Sequence, residues 1–194
     1  MTDPSRAERS RVPDDLLEML SGEVASIVGA PEILLELWSD QGQMLPRAIE
    51  LLRPERAVAL FSDGDAITAR HRSVPGLTVG VMAESFPPAQ AVLGILPWRW
   101  APRPVTVRTP DGEVHLNDDP ASVTLLHACL AMPPEGVTAA IVGPGFVARR
   151  GTGSVAANLK RLGLCTVRAI TLDRGLFRPT SGRGRILLLL RRDA

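Results

Sequence analysis

The chain of 194 residues is poor in the side chains that most often announce a site: two cysteines, three histidines and a single lysine, Lys160. Cys129 and Cys165 fall inside apolar patterns and lack metal-ligand spacing, so they read as small buried hydrophobes, not as a disulfide or a metal pair. His71, His115 and His127 are scattered, and no metal is expected. No window approaches the roughly 18 continuous apolar residues that a membrane span needs, and Met1-Thr2-Asp3-Pro4-Ser5 is polar and not signal-like. The expectation is a cytoplasmic protein without a membrane partner. Two glycine-rich stretches, Gly143-Pro144-Gly145 and Gly151-Thr152-Gly153-Ser154, fit neither phosphate-binding fingerprint, which argues against a kinase or nucleotidase. No Ser/His/Asp or Cys/His set can be argued from spacing.

What is present is apolar content and an uneven charge. Hydrophobic residues make up 45%, enough for one domain with a sizeable core. From Gly143 onward there are eleven Lys/Arg against two acids, whereas residues 1–142 carry eleven against nineteen, so a net +1 hides a basic final third. Clustered arginine suits nucleic acid, because it releases counterions from phosphates. The alternative is that the arginines decorate outward faces of strands and helices.

The order of elements is legible. Residues 1–12 read as a polar tail. Residues 13–54 read as a helical lead-in of three helices. The first has Leu16, Leu17, Leu20, Val24, Ile27 and Val28 at spacings of three and four, with Asp15 and Glu18 as a capping pair; the second runs from Pro31 to Trp38, and the third from Leu45 to Leu52. Residues 55–194 then alternate strand and helix. Strands are expected at Arg56–Phe61, Leu77–Met82, Ala89–Ile95, Ala139–Val142, Thr166–Leu172 and Ile186–Leu190, a hairpin around Pro110-Asp111-Gly112, and helices over Ser122–Met132 and Ser154–Leu164. That alternation argues an α/β fold with an open, mostly parallel, doubly wound sheet, whose ligands sit at the carboxyl ends of the strands.

The last third carries a resemblance. A strand through Val142 breaks at Gly143-Pro144-Gly145-Phe146, the helix segment ends in Lys160-Arg161-Leu162-Gly163-Leu164, and Leu172-Asp173-Arg174-Gly175-Leu176-Phe177 precedes the apolar run Ile186–Leu190. In order and spacing this resembles the N6-adenine DNA methylase family, including modification subunits of type I restriction systems. The resemblance implies a Rossmann-like methyltransferase domain and S-adenosylmethionine as cofactor. It places the cofactor's close-approach turn at Asp63-Gly64-Asp65 after the first sheet strand and the ribose-binding acid at Glu84 after the second. It also places the adenine-gripping Asn/Asp-Pro-Pro-aromatic segment at Ile95-Leu96-Pro97-Trp98, where Pro97 and Trp98 match and Ile95 and Leu96 do not. An isoleucine cannot accept a hydrogen bond from an exocyclic amine, so no confident catalytic residue is named. Trp98 and Trp100 either stack on a base or anchor the core. Arg183 and Arg185 are the candidate nucleic-acid contacts. The implied function is a catalytically impaired relative, a pseudoenzyme binding DNA, a protein partner or a second copy of itself in a restriction-modification setting. An active S-adenosylmethionine-dependent methyltransferase on another substrate, and a pure DNA-binding module, stand beside it.

Overall fold

A computed structural model of the chain describes residues 12–39, 44–64, 67, 76–82, 85–97, 101–109, 112–149, 151–173 and 184–193. Nine strands form among them: β1 (Ile33–Leu37), β2 (Arg56–Phe61), β3 (Leu77–Val81), β4 (Ala91–Ile95), β5 (Arg103–Thr109), β6 (Gly112–Asp118), β7 (Val137–Val142), β8 (Leu164–Leu172) and β9 (Arg185–Arg192). The helices are α1 (Asp14–Val28), α2 (Leu45–Leu52), α3 (Pro120–Ala131), α4 (Pro144–Ala148) and α5 (Val155–Asn158), with a 3-10 turn at Lys160–Leu162.

Seven strands make one sheet in the order β3-β2-β1-β4-β7-β9-β8, and β5 and β6 form a separate antiparallel hairpin. Neighbouring pairs from β3 to β7 are parallel, and β9 runs antiparallel between β7 and β8. The central strands β1, β4 and β7 are buried at every residue, as a parallel sheet covered on both faces requires. On one face α1 and α2 pack Leu16, Leu20, Val24, Leu45 and Leu52 against Leu34, Phe61, Leu93 and Leu189. On the other, α3, α4, α5 and the hairpin pack Leu125, Cys129, Phe146, Val155, Val107, Val114 and Leu116 against Leu35, Leu37 and Leu188. Each fully buried leucine contributes about 1.5–3 kcal/mol. Cys129 lies wholly in this second layer with its Sγ 3.2 Å from Thr138 Oγ1, and burial pushes its thiol up to about 12.

Local chemistry explains the ends of the elements. Asp14 and Asp15 place negative charge in the first turn of α1, opposite the helix's positive end. No side chain caps that helix, so the expected Asp15/Glu18 capping pair is not formed. Asp119 caps α3 by accepting from Ser122 N at 3.0 Å, with Pro120 in the first turn where its missing N–H costs nothing.

One element differs in kind from expectation. The helix expected over 31–38 is strand β1, paired with β2 on one side and β4 on the other. Residues 33–37 therefore stand in the middle of the seven-stranded sheet, and α1 and α2 pack on one of its faces. The hairpin's Pro110-Asp111 corner lies outside the described residues.

Candidate functional site

The chain reaches β2 from β1 on one side and, after β3, returns to β4 on the other. This reversal of strand order falls between β1 and β4, and the carboxyl ends of strands at such a switch point are where open α/β sheets receive ligands. Glu36 organises the loop that leaves β1 there. Its side chain is only 1% exposed, its Oε1 accepts Met44 N at 2.8 Å, and its Oε2 accepts the Ser39 hydroxyl. Met44 is the residue that leads into α2, so one carboxylate pins both ends of the loop between β1 and α2. Ser39 N donates to Leu60 O at 3.0 Å, which ties the same loop to β2.

Trp38 is bent into the left-handed region at φ 54°, a conformation that costs a bulky residue about 1–2 kcal/mol. Its ring is buried against β4: a Cβ placed on Gly94 would stand 3.4 Å from the indole Cε3 and Cζ3. Gly94 lies directly across from Leu37, so the missing side chain there is what lets the indole lie over β4.

At the tip of β2 stand Ser62, Asp63 and Gly64, with Phe61 O accepting Met82 N at 2.9 Å and Gly64 O accepting Ile67 N at 3.1 Å. Because β1 is a strand, the assignment of sequence segments to strand tips moves by one. Asp63 and Gly64 follow the second strand of the sheet domain, not the first, and Glu84 follows the third. Asp63 thus takes the strand tip that the resemblance reserves for the ribose-binding acid, in place of Glu84. Glu84 and Asp65 lie outside the described residues.

The strand order, with one antiparallel strand inserted next to the edge, decides the fold. It is the fold of the class I S-adenosylmethionine-dependent methyltransferases. A candidate RNA methyltransferase of Pyrococcus horikoshii superposes with a TM-score of 0.65 at 13% identity over 100% of this chain and 91% of that one. The N-methyltransferase NodS of Bradyrhizobium japonicum WM9, in complex with S-adenosyl-L-homocysteine, gives 0.64 at 12% identity over 100% and 94%. A candidate class I methyltransferase of Listeria monocytogenes gives 0.67 at 13% identity, with this chain spanning 63% of its length. No protein-family model matches the chain, and no curated sequence relative does.

With β1 counted, Ala91–Ile95 is the fourth strand of this methyltransferase fold, so Ile95-Leu96-Pro97 occupies the tip where the adenine-gripping segment would stand. Ile95 is 7% exposed and packs into the α1/α2 layer; Leu96 is 6% exposed and packs into the opposite one. Leu96 N donates to Ile141 O at 3.0 Å, which fixes the tip to β7. Pro97 is half-buried beside them, and Trp98 lies outside the described residues. The two side chains are committed to the core and offer no polar atom to a substrate.

A buried ionic cluster near this end escaped the sequence reading. Asp118, at the end of β6, and Asp119, the α3 cap, share Arg149 from the loop after α4; Arg149 Nη1 stands 2.6 Å from Asp119 Oδ2 and also contacts Asp118 Oδ1. Asp118 Oδ2 further accepts Val155 N at 2.8 Å, and Asn117 N donates to Gly153 O at 2.7 Å. The cluster therefore fastens the hairpin, the start of α3 and the loop before α5 together. Burial raises the Asp118 carboxyl and outweighs the amides and guanidinium that favour its charge. Burial also opposes charge on Asp119, but the Ser122 amide, Arg149 and the Ser122 hydroxyl prevail and lower it. The one available signal was Asp118-Asp119-Pro120 ahead of an apolar helix, a capping pattern with one acid to spare.

Arg185 opens β9, two strands from β4 and so about 10 Å away, and burial lowers its pKa. Arg183 lies outside the described residues. Among the described residues, no group of three or more His, Cys, Asp or Glu is placed to hold a metal ion.

Proposed function

We propose that this protein is a methyltransferase-fold subunit that binds S-adenosylmethionine but does not methylate adenine, and that works by binding DNA or a protein partner, as in a restriction-modification assembly. The observation that carries this is the pair Ile95 and Leu96, both buried hydrocarbon, at the tip of β4. A methyl acceptor amine needs a hydrogen-bond acceptor there to hold it in line with the methyl group. The switch point beside it favours the cofactor: Glu36 holds the β1–α2 loop in place, and the Asp63 carboxylate at the tip of β2 suits the paired hydroxyls of a ribose. S-adenosylmethionine, when bound, supplies an electrophilic methyl group. The chain's part is to seat the cofactor through Glu36's loop and Asp63.

The test is calorimetric titration with S-adenosylmethionine alongside transfer of labelled methyl to adenine-containing DNA. Binding without label on adenine is expected, with affinity weakened by Asp63→Ala. Label on adenine N6 that disappears in Pro97→Ala would overturn the proposal, and absence of cofactor binding would remove its first half. A second reading, methyl transfer to a different acceptor, draws on the hairpin that follows β4 and is clamped by Asp118 and Arg149. Transfer of label to a non-DNA acceptor would establish it.

A further inference from the structure

The seven-stranded sheet ends on β8. Among the described residues no strand pairs with its outer edge, although nine residues, Leu164–Leu172, are in strand conformation. An edge of that length without a partner among the described strands displays a row of backbone donors and acceptors that a further strand can take up. The edge is irregular, with a bulge between Thr166 and Arg168 that leaves Val167 45% exposed. Against the start of β8 lies a groove of about 410 Å³, floored by Ala156, Ala157 and Leu164 with Cys165 and Thr166 along one side. Its small side chains leave room for the side chain of an added strand.

The charge around the groove selects the occupant. Lys160 lines it and Arg161 stands next in the chain, both exposed, and Asp193 is the one acid in its lining. Further along the edge Arg168 pairs with Glu23 of α1. Two copies of the chain joined edge to edge would bring these cations onto one another. The amino-terminal residues 1–11, with three arginines against two acids, do not complement them either. We infer that the outer edge of β8 is a docking surface for an extended acidic segment of another protein, which adds as an eighth strand and places a side chain in the groove. The inference rests on the partner-binding part of the proposed function and gives that partner a place and a chemistry.

The probes are two acetylated peptides matching the nine residues of β8 in length, alternating valine and threonine with glutamate in one and lysine in the other. Hydrogen exchange on the full chain should slow at residues 165–171 with the glutamate peptide and not with the lysine peptide. Lys160→Glu with Arg161→Glu, both surface changes, should weaken the glutamate peptide about tenfold. Three results would overturn the inference: no slowing with the glutamate peptide, equal slowing with both peptides, or β8 amides already slow in peptide-free protein that sediments as a dimer. The charge-reversed variant should still bind S-adenosylmethionine as the parent does. Failure of cofactor binding in the parent itself counts against the proposed function and leaves the edge inference standing.

Discussion

Two buried carboxylate arrangements set what single substitutions do. Glu36→Ala removes the acceptor for Met44 N and Ser39 Oγ at once, leaving a buried N–H without its partner, which costs about 1–3 kcal/mol. Urea denaturation should show that loss, and titration with S-adenosylmethionine should show weaker binding because the β1–α2 loop is no longer pinned. Arg149→Met strips the cation from two carboxylates that are 1% and 4% exposed, and chemical denaturation should register a loss of about 3–5 kcal/mol. The same pair gives opposite acid behaviour. Asp119 is lowered in the fold, so its stabilisation is complete above the unfolded carboxylate range and is lost as pH falls through its folded value. Asp118 is raised, so its contribution is complete at low pH and is lost as pH rises through its folded value. Denaturation midpoints followed into acid should therefore fall less steeply in Asp119→Asn than in the parent, and more steeply in Asp118→Asn.

At the scale of elements, the connection between α3 and β7 leaves no room for a side chain at Gly136. A Cβ on Gly136 would meet Met132 Cβ at 2.8 Å and Pro133 O at 3.0 Å, neither of which can swing aside, so Gly136→Ala should cost about 1–3 kcal/mol in thermal or urea unfolding. Most elements were legible because their signals are local. Ala57–Phe61 is a continuous apolar run ahead of turn residues, and the α3 segment opens on an Asp-Pro cap. Strand β1 was not. Ile33-Leu34-Leu35-Glu36-Leu37 is five residues long, begins after a proline acceptable to a helix, and carries a charge in mid-run. Periodicity cannot separate strand from helix in so short a run. What makes it a strand is non-local: β2 and β4 on its two flanks, and a carboxylate satisfied by Met44 eight residues on. That one element shifts the strand count: Asp63 follows the second strand of the sheet and not the first, and Ile95-Leu96-Pro97 follows the fourth.

For the whole molecule, described basic residues of the final third stand at both rims of the sheet. Arg149 and Arg185 stand toward the carboxyl ends of the parallel strands, whereas Lys160, Arg161 and Arg191 stand toward the amino ends. The six residues of β7 separate these ends by about 20 Å. Net charge summed along the sequence could not show this division, because β9 runs antiparallel to its neighbours and carries its two ends to opposite rims. If DNA binds at the carboxyl-end rim, reversing Lys160, Arg161 and Arg191 should leave its affinity and salt dependence unchanged in filter-binding or anisotropy titrations. A steep loss would move the DNA to the other rim. No helix among the described residues is long and apolar enough to cross a membrane.

The placement of β9 between β7 and β8 also orders assembly. β8 pairs only with β9 among the described strands, and β9 comes later in the chain, so β8 is made before the strand that pairs with it. A polypeptide cut short ahead of residue 184 would carry β8 without its ladder partner, held by side-chain contacts such as Arg168 with Glu23. During synthesis, then, the rim proposed to receive a visitor is among the last parts to be seated.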